Sequence, residues 1–120
     1  MPKKTLVFGA SINPDRYSYL AIVRLFDKGH PVVAFGLNEG VVHGVKIDNK
    51  LKAYEKVDTV TLYMRPNRQV GYYDYLVSLK PKRVIFNPGT ENPEFYRLLE
   101  KEGIDVEVAC TLVLLGIDQF

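Results

Sequence analysis

The stretch Thr5–Arg16, TLVFGASINPDR, decides the fold: a short apolar run ends at Gly9-Ala10-Ser11, and a helical pattern begins a few residues later. A strand, a tight turn of small residues and a helix N-terminus together bind phosphate, because backbone N–H groups and the positive end of the helix dipole point at one place. Ile12 and Pro14 stand where the dinucleotide fingerprint has further glycines. The stretch therefore predicts a phosphate site and disfavours NAD as its ligand.

Apolar segments of strand length alternate with helical patterns along the rest of the chain. Strand character is found at Leu6–Phe8, Val32–Phe35, Thr59–Tyr63, Arg83–Phe86 and Ile104–Val108, with a short extended piece at His43–Ile47. Helical patterns run from about Ser18 to Lys28 with Phe26 on the buried face, from a cap at Asn67 to about Leu79 with Val70 on the buried face, and from Asn92-Pro93 to Gly103.

Strands that alternate with crossover helices predict a parallel sheet with helices on both faces. We therefore expect an α/β fold: a single Rossmann-like domain over residues 1–120 with a five-stranded parallel sheet in the order 3-2-1-4-5. In such sheets the ligand binds beyond the carboxyl ends of the strands, where the winding direction switches, here between the first and fourth strands.

Composition and charge narrow the class of protein. The chain has 120 residues, 47% of them hydrophobic and 25% charged, which is typical of a water-soluble domain. Its net charge of +2 without a block of basic residues disfavours nucleic acid and membranes as partners. The single cysteine, Cys110, excludes an internal disulfide, and the opening MPKKT runs straight into a strand without a signal peptide. We expect a cytoplasmic protein.

Small or polar residues follow every predicted strand, and parallel strands bring their carboxyl ends to one rim. These clusters are Gly9-Ala10-Ser11, Gly36-Leu37-Asn38, Met64-Arg65-Pro66, Asn87-Pro88-Gly89-Thr90 and Ala109-Cys110-Thr111. Loops of any α/β domain are rich in such residues, but five clusters together favour a binding rim. Arg65 either reaches a phosphate or pairs with a loop carboxylate, and Arg16 and Lys46 either add positive charge or are solvated.

Two absences in the sequence bear on the ligand and the chemistry. The second strand ends without the Asp or Glu that accepts a hydrogen bond from the ribose of NAD. No His, Cys, Asp or Glu cluster has metal-ligand spacing. Cys110, at a strand end, is the weak candidate for a nucleophile, with a half-buried structural cysteine as the alternative.

A likeness to a known family runs through the chain in order. Its motifs are VFGAS-x-NP-x-R-x-SY at Val7–Tyr19, HG-x-K at His43–Lys46, VD-x-V at Val57–Val60, RP at Arg65-Pro66, NPGTEN at Asn87–Asn92 and EGI-x-V with a following AC at Glu102–Cys110. This combination resembles the small stand-alone CoA-binding proteins, which are related to the nucleotide-binding domain of the succinyl-CoA synthetase α subunit. The resemblance implies coenzyme A as the ligand.

The resemblance also implies where each part of coenzyme A would lie. The pyrophosphate would contact Gly9, Ala10, Ser11 and Asn13, helped by Arg16 and Ser18. The adenosine would lie near Gly36–Asn38, with Gly36 and Asn38 as its contacts. The pantetheine arm would pass Met64, Arg65, Asn87 and Gly89 and reach Cys110.

Three functional hypotheses follow from these patterns. The first is a non-catalytic sensor, carrier or partner module that holds coenzyme A or an acyl-CoA. The second is an enzyme or redox-active protein that uses Cys110 on the thiol or acyl group, and a further alternative is a binder of NAD(P)-type nucleotides. The third is an interaction module that uses the apolar segment Leu112–Phe120 to form a homodimer or dock on a partner protein.

Overall fold

Seven short strands form one mixed sheet in the computed structural model, which describes residues 2–120. The strands are β1 (Thr5–Phe8), β2 (Val32–Phe35), β3 (Gly40–Val42), β4 (Val45–Asp48), β5 (Thr59–Leu62), β6 (Arg83–Phe86) and β7 (Asp105–Val108). They lie in the order β3-β4-β2-β1-β5-β6-β7. Every neighbouring pair is parallel except β3 and β4, which form an antiparallel hairpin.

The expected five-stranded, all-parallel sheet is therefore wrong in strand number and in one pairing. The extended piece predicted at His43–Ile47 contributes β4, a full member of the sheet, and a tight turn at His43-Gly44, where φ is 53° and 82°, joins it to β3. No helix connects β2 to β4. Since β4 occupies the outer edge of β2, the next strand along the chain, β5, pairs with the open edge of β1.

This pairing also corrects the position of the switch in winding direction. Thr59–Tyr63 was expected beside the second strand, and the switch between the first and fourth of the five expected strands. In the structure β5 pairs with β1 in register from Thr5↔Thr59 to Phe8↔Leu62, so the switch lies between β1 and β5. The turn after β5 consequently lies next to the turn after β1.

Five helices cover the sheet. They are α1 (Tyr17–Asp27), α2 (Pro66–Gln69), α3 (Tyr73–Ser78), α4 (Pro93–Lys101) and α5 (Thr111–Gly116), and a 3₁₀ turn at Val70–Tyr72 joins α2 to α3. The longest has 11 residues, and within residues 2–120 none has the length and apolar character of a membrane-spanning helix. The predicted start at Asn92-Pro93 is confirmed, because the Asn92 side chain accepts a hydrogen bond from the Phe95 N–H.

The other two helix predictions need correction in detail. The single helix expected from Asn67 is broken into three pieces, with Gly71 in the 3₁₀ turn, and it is preceded by Arg65 instead of a capping Asn67. Val70, expected in the core, is 56% exposed. Phe26, on the expected buried face of α1, is also half-exposed, since it lies in the last turn and packs edge-on against the His43 ring.

Two apolar clusters lie on opposite faces of the sheet, as alternation along β1 requires. Val7 points into the cluster beneath α1 and α5, whereas Leu6 and Phe8 point into the cluster beneath α3 and α4. The first part of the apolar segment Leu112–Phe120 lies in α5, and its Leu115 is buried in the first cluster. Helices thus cover both faces of the central strands.

Candidate functional site

The turn after β1 uses some of its backbone donors internally and leaves others free. The Gly9 and Ala10 N–H groups both donate to the Phe35 carbonyl, at 2.9 and 2.8 Å. The Asn13 N–H donates to the Ser11 hydroxyl at 3.0 Å. The Ser11 and Ile12 N–H groups have no partner in the described part of the chain. The donors available to an anion are therefore fewer than the predicted span of residues 9–13.

The N-terminus of α1 adds further donors at the same place. The helix begins at Tyr17 after Arg16, has no side-chain cap and no acidic residue in its first turn. The first N–H groups of a helix have no intrahelical acceptor and carry the positive end of the dipole. Ser18 in this turn is buried and Arg16 is exposed. An anion above the turn would thus meet free amides, a helix end and a guanidinium.

Two glycines are required here by the backbone of the protein itself. Gly9 has φ of +100°, and a Cβ on it would lie 2.9 Å from the Tyr63 carbonyl carbon and oxygen. A Cβ on Gly36 would lie 2.1 Å from the Ala10 carbonyl oxygen. Close packing of the turns after β1, β2 and β5 explains both residues. The expectation that Gly36 contacts a ligand stays a prediction.

Two arginines flank the turn without carboxylate partners. The adjacency of β5 and β1 places Met64 and Arg65 beside the Gly9 turn, with Met64 buried and Arg65 exposed immediately before α2. Among the ion pairs of residues 2–120, neither Arg65 nor Arg16 takes part. Of the two roles considered for Arg65, pairing with a loop carboxylate is therefore absent from the described chain.

Asn87, predicted to contact the ligand, is fully occupied as a donor inside the protein. Its Nδ2 donates to the Thr61 hydroxyl at 2.7 Å and to the Leu62 carbonyl at 2.8 Å. Its Oδ1 accepts from the Thr111 N–H at 2.8 Å. The side chain thus holds the ends of β5 and β6 to the start of α5. Gly89, with φ of +92° and open space around it, is exposed.

Cys110 lies at the same rim, directly before α5. Its thiol is free and half-buried. Beside it the Tyr63 hydroxyl is buried without a hydrogen-bond partner in residues 2–120, while the Thr61 and Thr111 hydroxyls bond to each other at 2.8 Å. Burial raises the pKa of Tyr63 to about 12 against the opposing effect of the neighbouring Thr61 and Thr111 hydroxyls, and Cys110 adds to the rise. Sequence reasoning missed Tyr63, which reads as an ordinary strand-end aromatic.

On the other side of the rim, β4 ends at Asp48, whose carboxylate is buried. Burial favours the neutral acid, but a hydrogen bond from Tyr54 at 2.6 Å and the ammonium of Lys52 at 2.9 Å outweigh it and lower the pKa of Asp48. Asp48 is thus engaged and is not free for a ribose hydroxyl. Asn38 is exposed.

Lys46 lies apart from the Gly9 turn. Its ammonium is 4.0 Å from Glu39 and 3.8 Å from Asp48. It lines a groove of about 650 Å³ with Phe26 and His30, on the side of α1 away from its N-terminus. The structure therefore brings together most of the predicted rim residues but separates Lys46 from them.

Gln69, which the sequence did not single out, organises two rim loops. It is fully buried, and its Nε2 donates to the Met64 carbonyl at 2.7 Å and the Thr90 carbonyl at 2.8 Å. A glutamine in a predicted helix carries no sequence signal of such a role. No group of three or more His, Cys, Asp or Glu side chains suited to a metal occurs in residues 2–120.

Comparisons with known proteins bear on the family and the fold of the chain. A family model described as a CoA binding domain matches residues 3–116. A crystal structure of an uncharacterised protein has a TM-score of 0.97 and 48% identity, covering 100% of this chain and 99% of that one. A conserved hypothetical protein from Pyrococcus furiosus has a TM-score of 0.75 and 30% identity, covering 89% and 92%. A Thermus thermophilus protein shares the fold, with a TM-score of 0.87 at 24% identity and coverage of 99% and 91%. No curated protein is a significant match.

Proposed function

This chain belongs to the family of CoA-binding domains, and from that premise we propose that it binds coenzyme A or an acyl-CoA at the carboxyl rim of the sheet. The proposal includes a non-catalytic role, as a sensor, a carrier or a module that presents the ligand to a partner. The observation that carries it is a set of donors around the Gly9 turn that have no partner within residues 2–120: the amides of Ser11 and Ile12, and the side chains of Arg16 and Arg65, which form no ion pair.

The order of the strands gives the ligand a direction. With the diphosphate at the Gly9 turn, the adenosine lies toward the end of β2 at Gly36–Asn38, and the pantetheine arm crosses the ends of β5, β6 and β7. Three strand spacings separate β1 from β7, which is about 14 Å. An extended arm of that reach ends beside Cys110.

Two features support coenzyme A over NAD. No carboxylate follows β2 directly, and the buried Asp48 on the neighbouring strand is held by Tyr54 and Lys52. An NAD site needs a free carboxylate there for the ribose hydroxyls. The 3′-phosphate of coenzyme A instead requires cations or backbone donors.

The non-catalytic role is supported by the surroundings of Cys110. A nucleophilic thiol needs a base within hydrogen-bond reach. In the described chain Cys110 has no hydrogen bond to a His, Asp or Glu side chain. The half-exposed Val113 on α5 and Ile117 directly after it leave a docking role for this segment as a further expectation.

Isothermal titration calorimetry with coenzyme A, dephospho-CoA, NAD and ATP tests the proposal. We expect coenzyme A to bind most tightly, with a loss for dephospho-CoA that reports the 3′-phosphate. Tight binding of NAD with no heat from coenzyme A would refute it. Turnover of an acyl-CoA that disappears in Cys110→Ser would refute the non-catalytic role and leave the binding proposal intact.

A further inference from the structure

The fully buried Gln69 joins the two loops that follow β5 and β6. Both hydrogens of its amide are used, one on the Met64 carbonyl in the first loop and one on the Thr90 carbonyl in the second. Its Oε1 accepts from the Asn92 Nδ2 at 2.9 Å. A buried carbonyl without a donor is costly, so the Gln69 amide helps to set the relative position of these loops, beside the bonds that Asn87 makes between β5 and β6.

The network continues outward from Gln69 to the start of α4. The second hydrogen of Asn92 Nδ2 reaches the Tyr73 hydroxyl at 2.8 Å, and that hydroxyl donates to the Glu94 carboxylate at 3.1 Å. Asn92 also caps α4 through the Phe95 N–H. One buried chain of polar groups therefore links α2, α3 and the loop before α4, and it approaches the Gly9 turn only at Met64.

We propose that Gln69 is a positioning residue for the pantetheine arm: by bonding Met64 and Thr90 at once, it sets the spacing of the two loops across which the arm passes. This inference rests on the proposed function. It assigns Gln69 mainly to one part of the ligand, since the free amides proposed for the diphosphate, at Ser11 and Ile12, form no hydrogen bond with the network.

Only an amide side chain fits this role. A carboxylic acid at position 69 could donate at most one hydrogen and would leave one of the two carbonyls unpaired. A methionine has similar length and volume but donates none. Gln69→Met therefore removes the link between the loops with the smallest change in packing.

The experiment compares coenzyme A with 3′-phosphoadenosine 5′-diphosphate, its nucleotide part without the arm. By calorimetry on folded protein, Gln69→Met is expected to weaken coenzyme A binding about tenfold, as the loss of well-placed hydrogen bonds implies. The nucleotide part is expected to lose clearly less affinity than coenzyme A, because its proposed amide donors at Ser11 and Ile12 lie outside the network. A merely structural role would not separate the two ligands.

Thr59→Val is the matched control, because Thr59 is equally buried and polar but lies at the opposite end of β5. It is expected to lower stability while leaving both affinities unchanged. If Gln69→Met does not fold, Tyr73→Phe, which removes the outermost hydroxyl, replaces it, with a smaller loss confined to coenzyme A. Equal losses for both ligands, or no loss for either, overturn the inference. Failure of the original protein to bind coenzyme A overturns the proposed function instead.

Discussion

Arginines have opposite roles at the two ends of the strands, which we call the amino edge and the carboxyl edge; the carboxyl edge is the rim described above. At the amino edge Arg83 pairs with Glu107 at 2.9 Å, donates to the Thr59 hydroxyl at 3.1 Å, and lies 4.5 Å from the centre of the Phe120 ring. At the carboxyl edge Arg16 and Arg65 are exposed, and neither forms an ion pair within residues 2–120. The first edge contributes to stability, and the second retains its charge for a ligand.

The two edges also differ in whether their other polar groups have partners within the protein. At the amino edge the Lys3 N–H donates to Nδ1 of His30 at 2.9 Å, and the His30 ring lies 5.0 Å from that of Phe120. At the carboxyl edge the Ser11 and Ile12 amides are unpaired in the described chain. The comparison teaches that a binding edge is recognised by exposed arginines and free backbone amides, since the donor without a partner at the described amino edge, Nη2 of Arg83, is buried inside the protein.

The largest expected effect is the loss of stability in Gly36→Ala, because Gly36, although it lies on the rim, is required for close backbone packing. Its Cβ would lie 2.1 Å from the Ala10 carbonyl oxygen, an overlap that only backbone movement relieves. We expect a loss of about 3 kcal/mol in the free energy of unfolding. Urea denaturation measures it, with Gly71→Ala, where a Cβ meets open space, as the neutral control. Equal stability of the two variants would contradict the packing described for the rim.

Arg65→Ala sharpens the contrast by affecting binding alone. An exposed, unpaired arginine contributes little to stability, but its loss removes a charged donor to phosphate. We expect about tenfold weaker coenzyme A binding, equivalent to about 1.4 kcal/mol, with an unchanged melting temperature. Arg97→Ala, also exposed but on α4, should leave affinity as it was. If both variants lose affinity equally, the effect reflects net charge and not the rim.

The smallest effect concerns pH and the amino edge. Burial, with the charge of Lys3 as a second cause, lowers the pKa of His30 below 6.5. The unfolded chain therefore takes up this proton more readily, so stability is complete above pH 6.5 and declines as the pH falls below it. Thermal melts should show this decline, and His30→Asn, which keeps an acceptor without titrating, should reduce it. An identical pH profile in the variant would show that His30 does not cause the decline in stability.

Much of the fold was predictable because strong local signals agreed with the tertiary structure. The five longer apolar segments became strands, and Asn92-Pro93 began a helix where capping and proline geometry require it. The neighbour of β5 was not predictable. It depends on whether His43–Ile47 pairs with β2, and a short strand joined by a hairpin gives no helical signal of a crossover.

The candidate site was predictable where it depends on the positions of strand ends. It was not predictable where it depends on which side chains pair with each other. Convergence of the clusters at Gly9, Met64-Arg65 and Cys110 follows from the parallel sheet alone. The internal use of Asn87 and the role of Gln69 follow from contacts between loops more than 20 residues apart, such as Gln69 with Thr90. A single sequence does not show which of such distant segments contact each other.

Helix α5 joins the two edges that behave so differently. Its first N–H is bonded to Asn87 beside the rim, while Phe120, a few residues beyond its end, rests on Arg83 at the far side of the sheet. Removing or adding one residue between these attachments would rotate the helix by about 100°. The length of this segment is therefore constrained by the fold, whereas the exposed side chains Val113 and Ile117 take no part in either attachment.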